Sequence, residues 1–323
     1  MGGSVLTKST ASSTSAVGIV GTGVIGGGWA LHFLAQGLDV VAFDPHPEAR
    51  LRLDRLAETA WPALEKLGLE PGASLRRLRF VDTLEEAVAD VDVVQESTPE
   101  NLDSKIEVFR RMDAAAPPTT LLLSSTSGLA MSDMQVACEH PERTVVGHPF
   151  NPPYLVPLVE VVGGRHSSAA AIDRAAAFYS AFGKRAVKLR KELPGFIASR
   201  LQEAMWREML HMVANDEATV QEIDEAVVAG PGLRWAFMGP GLAFHVAGGE
   251  GGMAHVLDQF GPTLKWPWTR LEAPELTEDL RRRMIDGCNE EANGRSIAEL
   301  IRERDDSLIE IIKALDRRNP EGT

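Results

Sequence analysis

Residues 16–44 form the stretch that decides the fold, AVGIVGTGVIGGGWALHFLAQGLDVVAFD. The apolar run at 16–20 predicts a first β-strand, and apolar residues at helical spacing predict a helix over 24–36 that ends before Gly37. The next apolar run, 39–43, predicts a second strand. A strand, a glycine-rich turn and a helix that leads to another strand are typical of the unit that opens a doubly wound sheet.

The turn between the first strand and the helix has the pattern Gly-x-Gly-x-x-Gly. In this context the pattern predicts a dinucleotide-binding loop, and the alternative is a purely structural glycine turn. Asp44, at the end of the second strand, is placed to bind ribose hydroxyls and to repel a 2′-phosphate, which favours NAD over NADP. The predicted cofactor-binding residues of the loop are Gly21, Thr22, Gly23, Val24, Ile25 and Gly26.

Short apolar runs alternate with helical segments to about residue 189, and helices alone follow Pro194. We therefore predict an α/β protein, with a Rossmann-type doubly wound N-terminal domain followed by an all-α C-terminal domain. The predicted boundaries are a disordered lead-in over 1–15, an NAD-binding domain over 16–193, and a helical substrate and dimerisation domain over 194–323. Further strands are predicted at 78–81, 91–95, 120–124, 144–147, 158–162 and 186–189. Further helices are predicted at 47–67, 101–114, 168–182, 197–213, 220–229, 242–260 and 274–318.

The composition of the 323-residue chain is that of a globular protein, with 44% hydrophobic and 24% charged residues. The formal net charge of -13 argues against a nucleic-acid partner, because binding to phosphates needs a stripe of basic residues. The two cysteines, Cys138 and Cys288, provide neither a disulfide framework nor a zinc-ligand cluster, which predicts a cytoplasmic setting and no metal. No apolar run is long enough to span a membrane. We predict neither a nucleic-acid partner nor a membrane partner.

A histidine and a glutamate are candidates for the catalytic base of an alcohol oxidation. His148 follows the predicted strand 144–147, and ligands of doubly wound sheets bind at the carboxyl ends of strands. Glu160 lies within an apolar strand, where a carboxylate is costly unless it is paired. A bond from Glu160 to one ring nitrogen would fix the tautomer of His148 and leave the other nitrogen to take a hydroxyl proton. The alternative is a purely structural Glu160.

The segment 124–128, SSTSG, follows another predicted strand end. Its hydroxyls are candidates to polarise the reacting oxygen. The same composition is typical of a helix N-cap, so the residues alone leave both interpretations open.

These segments together resemble the 3-hydroxyacyl-CoA dehydrogenase family from residue 16 onward. The matching motifs are GTGVIG at 21–26, STS at 125–127, HPFNP at 148–152, LVEV at 158–161 and PGFI at 194–197. The resemblance implies that Ser127 is the hydroxyl donor, His148 the base and Glu160 the acid that orients it. It also implies that Glu100 and Lys105 line the nicotinamide and ribose side of the cofactor site.

One departure from the family pattern concerns the substrate. The family usually has Asn, which helps to hold the substrate carbonyl, where this chain has Ser199. Four stretches of the sequence resemble one branch of the family. They are GHPFNP at 147–152, WRE at 206–208, GLRWAFMG at 232–239, and KWPWT at 265–269 running into LEAPELT at 271–277. That resemblance implies oxidation of the 3-hydroxyl of L-carnitine to 3-dehydrocarnitine. The alternatives are L-gulonate or a 3-hydroxyacyl-CoA as substrate, or an NAD-binding structural protein of the crystallin kind without catalysis.

A trimethylammonium group cannot donate hydrogen bonds, so aromatic faces are expected to recognise it. Phe150, Trp235 and Phe237 are candidates for this contact, and Arg234 is a candidate for the substrate carboxylate. The alternatives are ordinary packing for the aromatic rings and an exposed salt bridge for Arg234. The apolar helical faces need more burial than a small domain supplies, and relatives in the family imply a homodimer.

Overall fold

The computed structural model describes residues 14–236, 238–261, 266–269, 275, 277–280, 282–283 and 293–316. The chain divides into two compact units, Met1–Ser199 and Arg200–Thr323. Within the described ranges, no helix is both long enough and apolar enough to cross a membrane. Most of the predicted lead-in, residues 1–13, lies outside the described residues.

The first unit contains one eight-stranded sheet. Its strands are β1 (Ala16–Val20), β2 (Asp39–Phe43), β3 (Leu78–Phe80), β4 (Val93–Glu96), β5 (Leu121–Ser124), β6 (Thr144–Pro149), β7 (Leu158–Gly163) and β8 (Arg185–Lys188). The strand order is β3-β2-β1-β4-β5-β6-β7-β8. The first six strands are parallel, β7 is antiparallel to β6, and β8 is parallel to β7. Because β7 runs backwards, its first residues lie at the edge where β1, β4, β5 and β6 end.

Helices cover both faces of this sheet. They are α1 (Val24–Ala35), α2 (Ala49–Leu67), α3 (Leu84–Val88), α4 (Leu102–Ala115), α5 (Met131–Met134) and α6 (Ala169–Ala181). Strands β4 and β5 are buried along their whole length, as expected for parallel strands covered on both sides. On one face, Trp29 of α1 stacks on Phe33 at 5.2 Å and packs against Tyr179 of α6 at 5.4 Å. On the other face, Phe109 and Met112 of α4 are fully buried in the core.

The second unit is helical in its described part. Its helices are α7 (Ala198–Ala214), which begins at the end of the first unit, α8 (Val220–Ala229), α9 (Pro231–Trp235), α10 (Pro240–Ala247), α11 (Gly252–Phe260) and α12 (Ile297–Asp316). Leu210, Val213, Val220 and Leu280 form a small core of their own. The predicted fold class, an α/β unit followed by a helical one, is confirmed.

Three predictions for the second unit were wrong in detail. The helix predicted over 242–260 is divided into α10 and α11, because Gly249 and Gly252 adopt positive φ values of 57° and 56°. The helix predicted over 274–318 is interrupted at Asn293 and Gly294, with φ values of 49° and 77°, and part of that range lies outside the described residues. Between the predicted helices 220–229 and 242–260, where no helix was predicted, the structure has the short helix α9. In the two divided helices, local turn residues outweighed the apolar periodicity, whereas α9 begins at Pro231, a residue suited to the first helical position.

Candidate functional site

The glycine loop has the geometry that a dinucleotide requires. Gly21 has a φ of 89°, and a Cβ on Gly26 would lie 1.8 Å from the Gly21 carbonyl oxygen, so both positions need glycine. A Cβ on Gly23 would meet no atom within 4 Å, which leaves open space above the loop. Gly23 is also the N-cap of α1 and supplies no side-chain cap to the first N–H groups of the helix. These groups and that space fit the diphosphate of NAD.

Asp44 follows β2 and is tied to the same loop. Its Oδ2 accepts hydrogen bonds from Thr22 N at 2.8 Å and Thr22 Oγ1 at 3.2 Å, while its Oδ1 accepts from His46 N at 2.9 Å. The half-buried carboxylate therefore helps to shape the loop, in addition to its predicted contact with ribose hydroxyls.

Lys105 and Glu96 form a buried ion pair beneath this edge of the sheet. Lys105 Nζ lies 2.7 Å from Glu96 Oε1, and both side chains are almost completely buried. The same ammonium group donates to the Thr98 carbonyl at 3.1 Å and lies 3.7 Å from Glu100 Oε2. Both predicted cofactor residues, Glu100 and Lys105, thus belong to one charged cluster that follows β4.

Glu100 also holds the segment that contains Ser127. Its Oε1 accepts hydrogen bonds from Thr126 Oγ1 at 2.5 Å, Ser127 N at 3.0 Å and Gly128 N at 3.0 Å. Burial alone would raise the pKa of Glu100, but the Thr126 hydrogen bond, the charge of Lys105 and the two N–H groups together lower it. The ionised carboxylate therefore fixes the backbone from which the exposed Ser127 side chain extends.

His148 and Glu160 are directly opposite each other in the antiparallel pair of β6 and β7. Opposed residues present their side chains on the same face, and here His148 Nδ1 lies 3.0 Å from Glu160 Oε2. His148 is 5% exposed and Glu160 is 1% exposed. Among the described residues, none hydrogen-bonds to His148 Nε2, so that nitrogen is available to a substrate.

The second oxygen of Glu160 binds the start of α7. Glu160 Oε1 accepts from Ile197 N at 2.9 Å and from Ala198 N at 3.0 Å. Burial would raise the pKa of Glu160, but the hydrogen bonds from His148, Ala198 and Ile197 outweigh it and lower the pKa. The carboxylate is thus ionised, oriented by three donors and fixed against rotation.

Two aromatic rings enclose His148. The Phe150 ring lies 5.1 Å away in an edge arrangement, and the Phe196 ring lies 5.3 Å away. Phe196 has a φ of 50°, which directs the chain from Gly195 into the N-terminus of α7 beside Glu160. Phe150 therefore lies beside the histidine, and its predicted contact with the substrate stays a prediction.

The remaining predicted substrate residues are placed as follows. Ser199 is half-buried in the first turn of α7. Arg234 is exposed on α9, and Trp235 at the end of that helix is 39% exposed. Phe237 lies outside the described residues. Their roles stay predictions.

Sequence reasoning missed two parts of this site. It did not find the N–H groups of Ile197 and Ala198 as partners of Glu160, although a helix predicted to start at residue 197 has N–H groups that need an acceptor. It also missed the bonds from Thr22 to Asp44, because a contact between a loop and a strand end depends on tertiary structure.

A doubly wound sheet with an open glycine loop defines a dinucleotide-binding protein of the Rossmann type. The chain matches the family models for 3-hydroxyacyl-CoA dehydrogenase, with the NAD binding domain over residues 16–193 and the C-terminal domain over residues 195–286. The protein therefore belongs to the 3-hydroxyacyl-CoA dehydrogenase family and is an NAD-dependent dehydrogenase that acts on a CH–OH group. The predicted family, cofactor and enzyme class are confirmed.

Similar proteins include curated relatives and solved structures. L-carnitine dehydrogenase of Streptomyces griseus is 62% identical over 93% of this chain and 90% of its own length. L-carnitine dehydrogenase of Nocardiopsis dassonvillei is 60% identical over 96% of this chain and 94% of its own length. Among solved structures, 5-formyl-3-hydroxy-2-methylpyridine 4-carboxylic acid 5-dehydrogenase, an NAD+-dependent dismutase, has a TM-score of 0.79 and 26% identity. That match covers 94% of this chain and 99% of the other.

Proposed function

We propose that the protein oxidises the 3-hydroxyl group of L-carnitine to 3-dehydrocarnitine and reduces NAD to NADH. The observation that carries the chemistry is the buried His148–Glu160 pair, whose imidazole Nε2 has no hydrogen-bond partner among the described residues and lies at the edge of the sheet that holds the glycine loop. The support for the substrate is the high identity to relatives named L-carnitine dehydrogenase over almost the whole chain.

In the proposed reaction, NAD supplies a hydride acceptor when it is bound. His148 Nε2 takes the proton of the 3-hydroxyl, and the carbinol carbon becomes a ketone. Glu160 holds the proton on Nδ1, so that Nε2 is the basic nitrogen, and it stabilises the imidazolium that forms. Ser127, on the segment fixed by Glu100, donates a hydrogen bond to the reacting oxygen.

We further propose that residues 16–193 form the NAD-binding domain and that residues 194–323 form the substrate and dimerisation domain. The helical unit exposes many large apolar side chains, among them Val228 at 70%, Leu233 at 67% and Trp268 at 68%. Trp266 and Trp268 meet at 5.3 Å with ring planes at 70° and, like Trp235, present exposed aromatic surface that suits a quaternary ammonium group. A homodimer through this unit and a cytoplasmic location complete the proposal.

The test of the substrate is an initial-rate screen with NAD against L-carnitine, D-carnitine, L-gulonate and 3-hydroxybutyryl-CoA. We expect turnover with L-carnitine. Turnover confined to L-gulonate or the CoA ester would overturn the substrate, and no turnover with any alcohol would favour a non-catalytic protein.

The test of the base is His148→Ala, which we expect to abolish turnover while NADH still binds. His140→Ala is the matched control, because His140 also lies beside a glutamate, at 3.7 Å from Glu142, but both side chains are exposed. Full activity in the His148 variant contradicts the proposed base. For the dimer, size-exclusion chromatography with light scattering should give twice the chain mass, and a monomer contradicts it.

A further inference from the structure

A buried chain of hydrogen bonds runs from α6 to the edge of the sheet that carries the glycine loop. Tyr179 OH lies 2.5 Å from Gln95 Oε1, and Gln95 Nε2 lies 2.8 Å from Ser125 Oγ. Trp29 Nε1 approaches the same hydroxyl oxygen at 3.2 Å, and Ser97 Oγ lies 2.8 Å from it. The proton transfer proposed above uses none of these side chains.

Tyr179 determines which group donates and which accepts along this series of hydrogen bonds. Its side chain is completely buried, and Gln95 Oε1 is the acceptor for its phenolic proton among the described residues. Burial also raises the pKa of Tyr179 well above its ordinary range, so the phenol stays a donor. The Gln95 amide must therefore direct its oxygen to Tyr179 and its NH2 group to Ser125. The opposite orientation would leave a buried O–H without an acceptor, which is costly.

The orientation of the Gln95 amide then fixes the donor and acceptor roles of Ser125 and Ser97. A hydroxyl oxygen has two acceptor sites and one proton, and an indole N–H can only donate. Ser125 accepts from Gln95 and from Trp29, so both of its acceptor sites are filled. Its own proton must go to Ser97 Oγ. Ser97 thus accepts from Ser125 and keeps its proton, for which the described residues supply no other acceptor.

Ser97 lies directly against the glycine loop. It follows β4, is half-buried, and donates its N–H to the Val20 carbonyl at 2.8 Å. Its Cβ lies 3.1 Å from the position that a Cβ on Gly26 would occupy. Strand β4 lies on one side of β1 and β2 on the other, so Ser97 and Asp44 flank the loop on opposite sides.

We propose that the Ser97 hydroxyl donates a hydrogen bond to an oxygen of bound NAD, in the part of the cofactor that lies beyond the adenosine half. Tyr179, Gln95 and Ser125 are positioning residues that hold this hydroxyl in its donor orientation. We assign the contact to the part of NAD beyond the adenosine half because Ser97 lies on the opposite side of the loop from Asp44, which is predicted to bind the adenosine ribose.

The experiment is a double-mutant cycle on NADH affinity, measured by fluorescence titration without any alcohol substrate. Ser97→Ala removes the donor and should weaken NADH binding by about 3- to 10-fold, the value of one neutral hydrogen bond. Tyr179→Phe removes only a distant hydroxyl. It frees the Gln95 amide to turn and accept from Ser125, so that Ser97 now donates to Ser125 instead of to the cofactor. We expect a similar loss of NADH affinity.

The double variant separates a relay from independent effects. If Tyr179 acts through Ser97, Tyr179→Phe should have almost no effect in the Ser97→Ala background, whereas multiplied effects contradict the relay. Unchanged NADH affinity in Ser97→Ala overturns the proposal outright. A purely structural role is tested with Thr120→Val, which removes a buried hydroxyl that donates to the Val91 carbonyl at the other end of β5. This control should lower the melting temperature and leave NADH affinity unchanged.

AMP and ADP-ribose locate the contact. AMP should bind Ser97→Ala as well as it binds the unmodified protein, while ADP-ribose or NADH should bind more weakly. An equal loss of affinity for AMP overturns the assignment to the part beyond adenosine. All of these titrations read cofactor binding alone, so their outcome does not depend on whether L-carnitine is the substrate.

Discussion

Glu160→Gln tests whether the carboxylate sets the tautomer of His148. In the structure, Glu160 accepts three hydrogen bonds, from His148 Nδ1 and from the N–H groups of Ile197 and Ala198. Glutamine has nearly the same shape but only one oxygen. If that oxygen faces the two backbone donors, the NH2 group faces His148 Nδ1 and donates to it. The ring proton must then move to Nε2, and the base is lost.

The opposite orientation of the amide is unfavourable. It would place the NH2 group against two N–H donors and leave all of them without acceptors, at about 1 to 3 kcal/mol for each buried group. We therefore expect the first orientation and a loss of general base catalysis of about 10²- to 10⁴-fold in kcat. This corresponds to about 3 to 5 kcal/mol in the activation free energy. Stability should fall by only about 1 to 2 kcal/mol, because the charged hydrogen bonds become neutral ones.

The assay is the initial rate of NADH formation, combined with NADH titration and thermal unfolding. Glu192→Gln is the control, since Glu192 also accepts from a backbone N–H and a hydroxyl, both of Ser132, but does not contact His148. It should keep its activity. If Glu160→Gln retains a kcat within threefold of the unmodified protein, the tautomer argument is refuted.

Three further predictions concern the loop, the pH dependence and the core of the first unit. Gly23→Ala should leave the melting temperature unchanged and abolish tight NADH binding, because its Cβ enters only the open space above the loop. Gly26→Ala should also destabilise the fold. Thermal unfolding and NADH titration distinguish the two variants. Burial and a neighbouring ammonium group lower the pKa of His32 well below 6.5, so below pH 6.5 the unfolded chain binds a proton that the folded protein does not. Stability measured by urea unfolding should therefore decrease as the pH falls below 6.5, by up to about 1.4 kcal/mol per pH unit, and His32→Gln should flatten that dependence. Asp113→Ala leaves the buried Arg143 guanidinium without its carboxylate partner at 2.7 Å. The free energy of unfolding in urea should fall by about 3 to 5 kcal/mol, and a decrease below about 1 kcal/mol contradicts this account.

The spacing of apolar residues predicted most of the strands and helices of the first unit, because its strands are short, apolar and bounded by turn residues. All eight predicted strands agree with the structure to within two residues at either end, including the strand predicted at 144–147, which extends through Pro149. Prediction was poorer in the second unit. There, helices with partly exposed apolar faces are divided at glycines such as Gly249, and periodicity does not detect a left-handed backbone.

The amino-acid sequence by itself determined the cofactor loop and pointed to the proposed base, His148, and to its partner, Glu160. A glycine pattern between a strand and a helix requires only local geometry, and a charged residue in an apolar strand must find a partner. Only the tertiary structure decided how that partner is held. The reversal of β7 places Glu160 opposite His148, and Ile197 and Ala198 add two N–H donors to the same carboxylate. The relay through Ser125 joins α1, β4 and α6, which are far apart in the chain and meet only when the sheet is covered on that face. Hydrogen bonds of this kind depend on distances between elements, and these are fixed by packing.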